Sequence, residues 1–137
     1  MLQWGPFSDF KEANTLLLWG DADGIAELHG KLAALLQGSE AKVFVGEGTS
    51  PGILTISIGG VGSELVITPS LEPEAFEWRC SKPKLEDIIA GVAALEATTA
   101  GHQYVDIESD YEIVEQVMIS KGEYPFIQPA SLAERRV

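Results

Sequence analysis

Two stretches of this chain carry apolar residues at helical spacing, and many of its other apolar residues fall in short strand-like runs. That division restricts the fold more than any single motif. In the first stretch Ile25, Leu28, Leu32, Leu35 and Leu36 recur at three and four positions, which lines one face of an α-helix. Asp21 offers the N-cap and Gly38 the stop. After Pro83, Leu85, Ile88, Ile89, Val92 and Leu95 form a second stripe, with Glu86, Asp87 and Glu96 largely off it. The strand-like runs are Thr15 to Trp19, Lys42 to Val45, Ile53 to Ile58, Glu64 to Thr68, Phe76 to Cys80, Gln103 to Glu108 and Ile113 to Ile119. Gly59, Gly60 and Gly62 lie between two of them and predict a hairpin turn.

The predicted order is β-α-β-β-β-β-α-β-β. Consecutive strands on short turns pair antiparallel, and one-sided amphipathic helices must cover a sheet face. The expectation is an α+β fold in which a mainly antiparallel sheet is covered by two helices as a two-layer sandwich; a more barrel-like sheet is the alternative. No repeat, low-complexity block or linker divides the sequence, so residues 1–137 read as a single domain, with a loosely held tail from about Pro125. With 137 residues, 45% of them apolar, a chain can bury a core without a metal or disulfide staple, and the single cysteine excludes an intramolecular bridge.

The formal net charge is −12. Phosphate backbones and anionic lipid surfaces draw affinity from Lys and Arg, so nucleic-acid and membrane partners are disfavoured. The first residues lack a basic n-region, and the apolar run Leu16 to Trp19 is far shorter than the roughly 20 residues of a membrane span, which predicts a cytoplasmic protein. The charge is also uneven. From Leu85 to Ser120 there is no Lys or Arg, whereas Glu86, Asp87, Glu96, Asp106, Glu108, Asp110, Glu112 and Glu115 all fall there. In the run Gln103 to Glu108, period two separates Val105 and Ile107 from His102, Tyr104, Asp106 and Glu108, so an aromatic and two acids share an outward face. Such a face either keeps a protein dissolved or recognises a basic partner by steering and complementarity.

Reactive chemistry finds less support. His102 with Asp106 and Glu108 offers ligand types for a metal, but a spacing of four on a strand spans roughly 13 Å, too long for both ends to reach one ion, and His29 belongs to the first helix beside Ile25 and Ala33, so no metal site is expected. Asp21-Ala-Asp-Gly resembles the start of a calcium loop, but Leu32 stands where the bidentate Glu would be, and capping explains the acids better. Cys80 follows Arg79, which could lower its thiol pKa, yet a nucleophile also needs a positioned base. The Gly59 to Gly62 run enters a strand and carries no Walker lysine, so it does not read as a phosphate loop. No cofactor is expected. Trp78 with Phe76 and Cys80 reads as core, and Trp4, with Phe7 and Phe10 nearby, reads as packing of the terminus onto the domain.

The segments Gly101-His-Gln-Tyr-Val-Asp-Ile and Gln116-Val-Met-Ile-Ser-Lys-Gly-Glu-Tyr-Pro resemble the end of small uncharacterised bacterial proteins in which a strand beginning His-Gln-Tyr is followed by one ending Ser-x-Gly-Glu-Tyr-Pro. In size, charge and element order the chain is also similar to immunity proteins of bacterial toxin systems, which block a cognate toxin domain. That resemblance implies a non-enzymatic protein-binding role with a basic toxin as partner. The residues expected to carry it are Tyr104, Asp106, Glu108, Asp110 and Glu112, with Glu123 and Tyr124 at the rim. The rival expectation is a small-molecule binder or enzyme whose pocket between sheet and helices uses His102, Tyr104 and Cys80. Self-association through an exposed sheet edge is a third.

Overall fold

The computed structural model describes residues 1–10, 13–46, 52–68, 74–107 and 114–124. Within them the chain runs β1 (Leu2–Phe10), β2 (Ala13–Gly20), α1 (Ala22–Gln37), β3 (Lys42–Phe44), β4 (Gly52–Ile58), β5 (Ser63–Thr68), β6 (Glu74–Cys80), α2 (Lys82–Glu96), β7 (Gly101–Asp106) and β8 (Gln116–Lys121). This is an α+β protein with two helices, but its strands form two four-stranded sheets instead of one. The first has the order β1-β2-β8-β7 and the second β3-β4-β6-β5. Both are mixed: the outer pairs are antiparallel and the central pair, β2 with β8 or β4 with β6, is parallel. The expected tail from Pro125 lies outside the described residues. Among those described, no helix is long and apolar enough to cross a membrane.

Strand β1 is absent from the pattern-based order because Gly5 and Pro6 interrupt its alternation. Proline has no amide N–H to donate to a ladder, but β1 is an edge strand, where one row of amides needs no partner. The expected hairpin at Gly59 is also corrected. Strands β4 and β5 do not pair; they flank β6 on opposite sides, and the glycine segment crosses the end of that strand. Gly59 N–H donates to Cys80 O at 2.9 Å, and Ser81 N–H donates to Gly62 O at 2.7 Å, which ties the crossing to the strand it passes.

The pairing also reveals a duplication where the sequence shows no repeat. Each half of the chain runs strand, strand, helix, strand, strand, and exchanging the halves converts the order of the first sheet into that of the second. One constant offset carries the N-cap Asp21 onto the N-cap Ser81, and Ile25, Leu28, Leu32 and Leu35 onto Leu85, Ile88, Val92 and Leu95. Burial and capping recur while identities do not: Trp19 corresponds to Arg79 and Leu17 to Glu77. A comparison of residue identities therefore misses it.

The inward faces of both sheets and the apolar stripes of both helices make one core. Trp4 meets Phe76 of the other sheet edge-on, with centroids 5.4 Å apart, and its indole N–H donates to Gly46 O at 2.8 Å. Trp78 donates to Ser63 Oγ at 2.6 Å, so each of these two core indoles keeps a polar partner. A smaller cluster of Phe7, Leu17, Trp19 and Met118 occupies the opposite face of the first sheet. The helices end differently. Gly38, at φ +81°, closes α1 with bonds to Ala34 O and Leu35 O. Helix α2 has no such glycine. Instead the buried Lys121 of β8 donates to Leu95 O, Glu96 O and Thr98 O at 3.2, 3.1 and 2.5 Å, placing a cation where the helix dipole is negative.

Candidate functional site

Strand β7 forms one edge of the first sheet, and its alternation is as the sequence predicts. Val105 faces the core at 6% exposure, while His102, Tyr104 and Asp106 point outward, Tyr104 at 46%. Opposite His102 in the ladder stands Ser120 of β8. Directly after β8, Gly122 adopts φ +71° and its N–H donates to Gly20 O at 3.0 Å. This left-handed step, which L side chains resist, turns the chain back so that Glu123 lies over the ladder.

The Glu123 carboxylate joins the cluster. His102 Nδ1 lies 2.9 and 3.0 Å from its two oxygens, and Ser120 Oγ donates to Oε1 at 2.7 Å. The imidazole also meets the Tyr104 ring edge-on, with centroids 5.1 Å apart. Ser120 is fully buried and donates toward the carboxylate instead of an imidazole, so the trio is not a nucleophile relay. What the arrangement does is hold an imidazole, a phenol and a carboxylate in fixed relation on an outward sheet edge, which lowers the ordering cost of any contact made there.

The other expected site residues fall in different places. Glu108, Asp110 and Glu112 lie outside the described residues. Tyr124, expected at the rim, is half-buried against the cluster containing Trp19. Cys80 sits in the shared core at 0% exposure, on the inward face of the second sheet. The structure thus does not bring it together with His102 and Tyr104, which face outward from the first. The buried, structural cysteine that the sequence favours is what the structure holds, and the lowering of its pKa that a neighbouring Arg79 could bring is not found. Adjacent residues in a strand point to opposite faces, and Arg79 is paired with Glu77 on the outer side at 2.9 Å. Burial pushes the thiol up to about 12, with a hydrogen bond from Ser63 opposing the shift.

Between α2 and β7 a cleft of about 80 Å³ is lined by Lys84, Asp87, Ile88, Gly91, Gln103 and Tyr104, far below the roughly 300–1,000 Å³ of small-molecule sites. Among the described residues, no three His, Cys, Asp or Glu side chains gather to hold a metal ion. Asp21 caps α1, accepting from Gly24 N–H at 2.8 Å and from the Met1 α-amino group; the amino group and then Gly24 hold its carboxyl below the usual range. His29 pairs with Glu96 across the two helices. Neither the His102–Glu123 nor the His29–Glu96 contact has a local sequence signal, because each joins residues brought together by packing. Comparison with protein-family models, curated proteins and solved structures returned no match, so the functional reading rests on this geometry and on charge.

Proposed function

We propose that this chain is a non-enzymatic, cytoplasmic protein-binding domain that uses the outward face of β7 and the turn after β8 to engage a basic partner, as an immunity protein blocks a basic toxin domain. The observation that carries the reading is the exposed Tyr104 ring, braced by His102 and flanked by the carboxylates of Asp106 and Glu123. Aromatic anchors contribute disproportionately to interface affinity, and surrounding charges of one sign set encounter rate and register. A chain of net charge −12 adds a long-range field of the same sign. The separation of Cys80 from His102 and the small volume of the α2–β7 cleft beside Tyr104 count against the particular pocket built from His102, Tyr104 and Cys80.

The test is association with the basic product of a neighbouring gene, followed by stopped flow. Between about 20 and 500 mM salt the on-rate is expected to fall at least roughly tenfold. Asp106→Asn with Glu123→Gln should reproduce part of that fall at low salt, and Tyr104→Ala should speed dissociation. An on-rate indifferent to ionic strength and to both carboxylates removes the electrostatic reading.

A further inference from the structure

The duplicated halves differ in one respect that their topology does not require. On the outer face of the first sheet Leu17, Trp19 and Met118 are shut from solvent, at 2%, 2% and 0% exposure. The corresponding face of the second sheet is partly open: Phe44 is 55% exposed and Ile53 42%, while Ser57 between its charged neighbours is 8% exposed. Its residues fall in cross-strand rows. One row reads Lys42, Ser57, Arg79, Glu64 across β3, β4, β6 and β5, and the next reads Phe44, Thr55, Glu77, Val66. Ile53 and Ala75 stand in the row beyond. On a chain of net charge −12 this face carries two bases and two acids, so it is the described sheet face where two copies repel each other least.

The rows are complementary to themselves. A two-fold axis parallel to the central strands, with two faces packed about 10 Å apart as sandwiched sheets are, sets β3 of one copy over β5 of the other at the same level. Lys42 then meets Glu64 of the second copy, Phe44 meets Val66, and Ile53 meets Ala75. Because the contact is isologous, each pairing occurs twice. Arg79 and Glu77 need no new partner, since they already bond each other at 2.9 Å and Ser57 donates to Glu77 at 3.0 Å. An axis perpendicular to the strands does worse, laying the charged row over Ile53 and Ala75 and desolvating charge against alkyl groups. We propose that this protein forms a symmetric homodimer through the outer face of its second sheet, with the axis along β4 and β6. Strand β7 belongs to the other sheet, so this proposal and the partner-binding face stand or fall separately.

Sedimentation velocity on the full chain at about 150 mM salt, where a Debye length near 8 Å screens the net repulsion between copies, reads the equilibrium. A concentration-dependent dimer is expected. Phe44→Asp should abolish it. Lys42→Glu or Glu64→Lys alone should weaken it roughly tenfold, since each reversal turns two attractions into two repulsions. Mixing those two single variants should restore a mixed dimer at least as tight as the unmodified one, because both contacts are again between opposite charges. Circular dichroism confirms that each exposed-site variant is folded. A chain monomeric to millimolar concentration, a dimer untouched by Phe44→Asp, or single reversals that fail to recover on mixing would overturn the proposal.

Discussion

Replacing Lys121 by Met removes an ammonium while leaving most of the side-chain stem in place, and it isolates how α2 is terminated. The ammonium donates to the carbonyls of Leu95, Glu96 and Thr98, and the residue is only 7% exposed, so water cannot readily take its place. A charge-assisted hydrogen bond contributes about 1.5–3 kcal/mol net, and a partly buried cation at a helix C-terminus up to about 2 kcal/mol. These contributions overlap, since the same ammonium supplies both, and the three carbonyls regain some solvation on relaxation. The expected loss is about 2–4 kcal/mol. For a domain of this size each kcal/mol moves the melting point by roughly 3–5 °C, so Tm should fall by about 10 °C. The matched control is Lys82→Met, at the exposed N-terminal end of the same helix. There the cation opposes the dipole, so its removal should be neutral or slightly stabilising. Urea unfolding with unchanged m-value reads both. If the two substitutions change stability by the same amount, or Lys121→Met costs under about 0.5 kcal/mol, the capping argument fails.

Cys80, with a thiol raised to about 12 by burial, should resist alkylation by iodoacetamide at pH 8 in the native protein and react once urea unfolds it, as mass spectrometry of timed aliquots would read. Gly46→Ala would place a Cβ 2.7 Å from Leu2 O and so push β1 from the core beside the Trp4 indole; a loss of about 1–3 kcal/mol is expected, measured by thermal denaturation. The Glu77 carboxyl lies below its ordinary value, chiefly through its hydrogen bonds from Arg79 and then Ser57. A depressed folded-state pKa gives stability that is present above the unfolded value near 4.5 and lost as pH falls through the folded one. Glu77→Gln should therefore flatten the stability curve below about pH 4.5, by less than about 1 kcal/mol because the pair is partly exposed. An unchanged acid limb would show that the ion pair adds nothing.

Local signals in the chain determined the elements whose cause is itself local. The stripes of Ile25 to Leu35 and Leu85 to Leu95, the capping carboxylate of Asp21 and the left-handed stop at Gly38 all act within a few residues, so periodicity and turn chemistry sufficed for them. Period two likewise put Tyr104 and Asp106 outward and Val105 inward, because neighbouring Cβ atoms of a strand must oppose each other. Partnering was a different matter. That β2 pairs with β8 and β4 with β6, dividing the strands between two sheets, depends on contacts between residues far apart in the chain, which carry no nearby pattern. The same holds for Lys121 reaching the end of α2, for Glu123 folding over Ser120 to bond His102, and for Pro6 being tolerated because its strand lies at an edge. Each is settled by which surfaces pack together, since hydrogen-bonding groups and charges take whatever partner tertiary packing delivers to them.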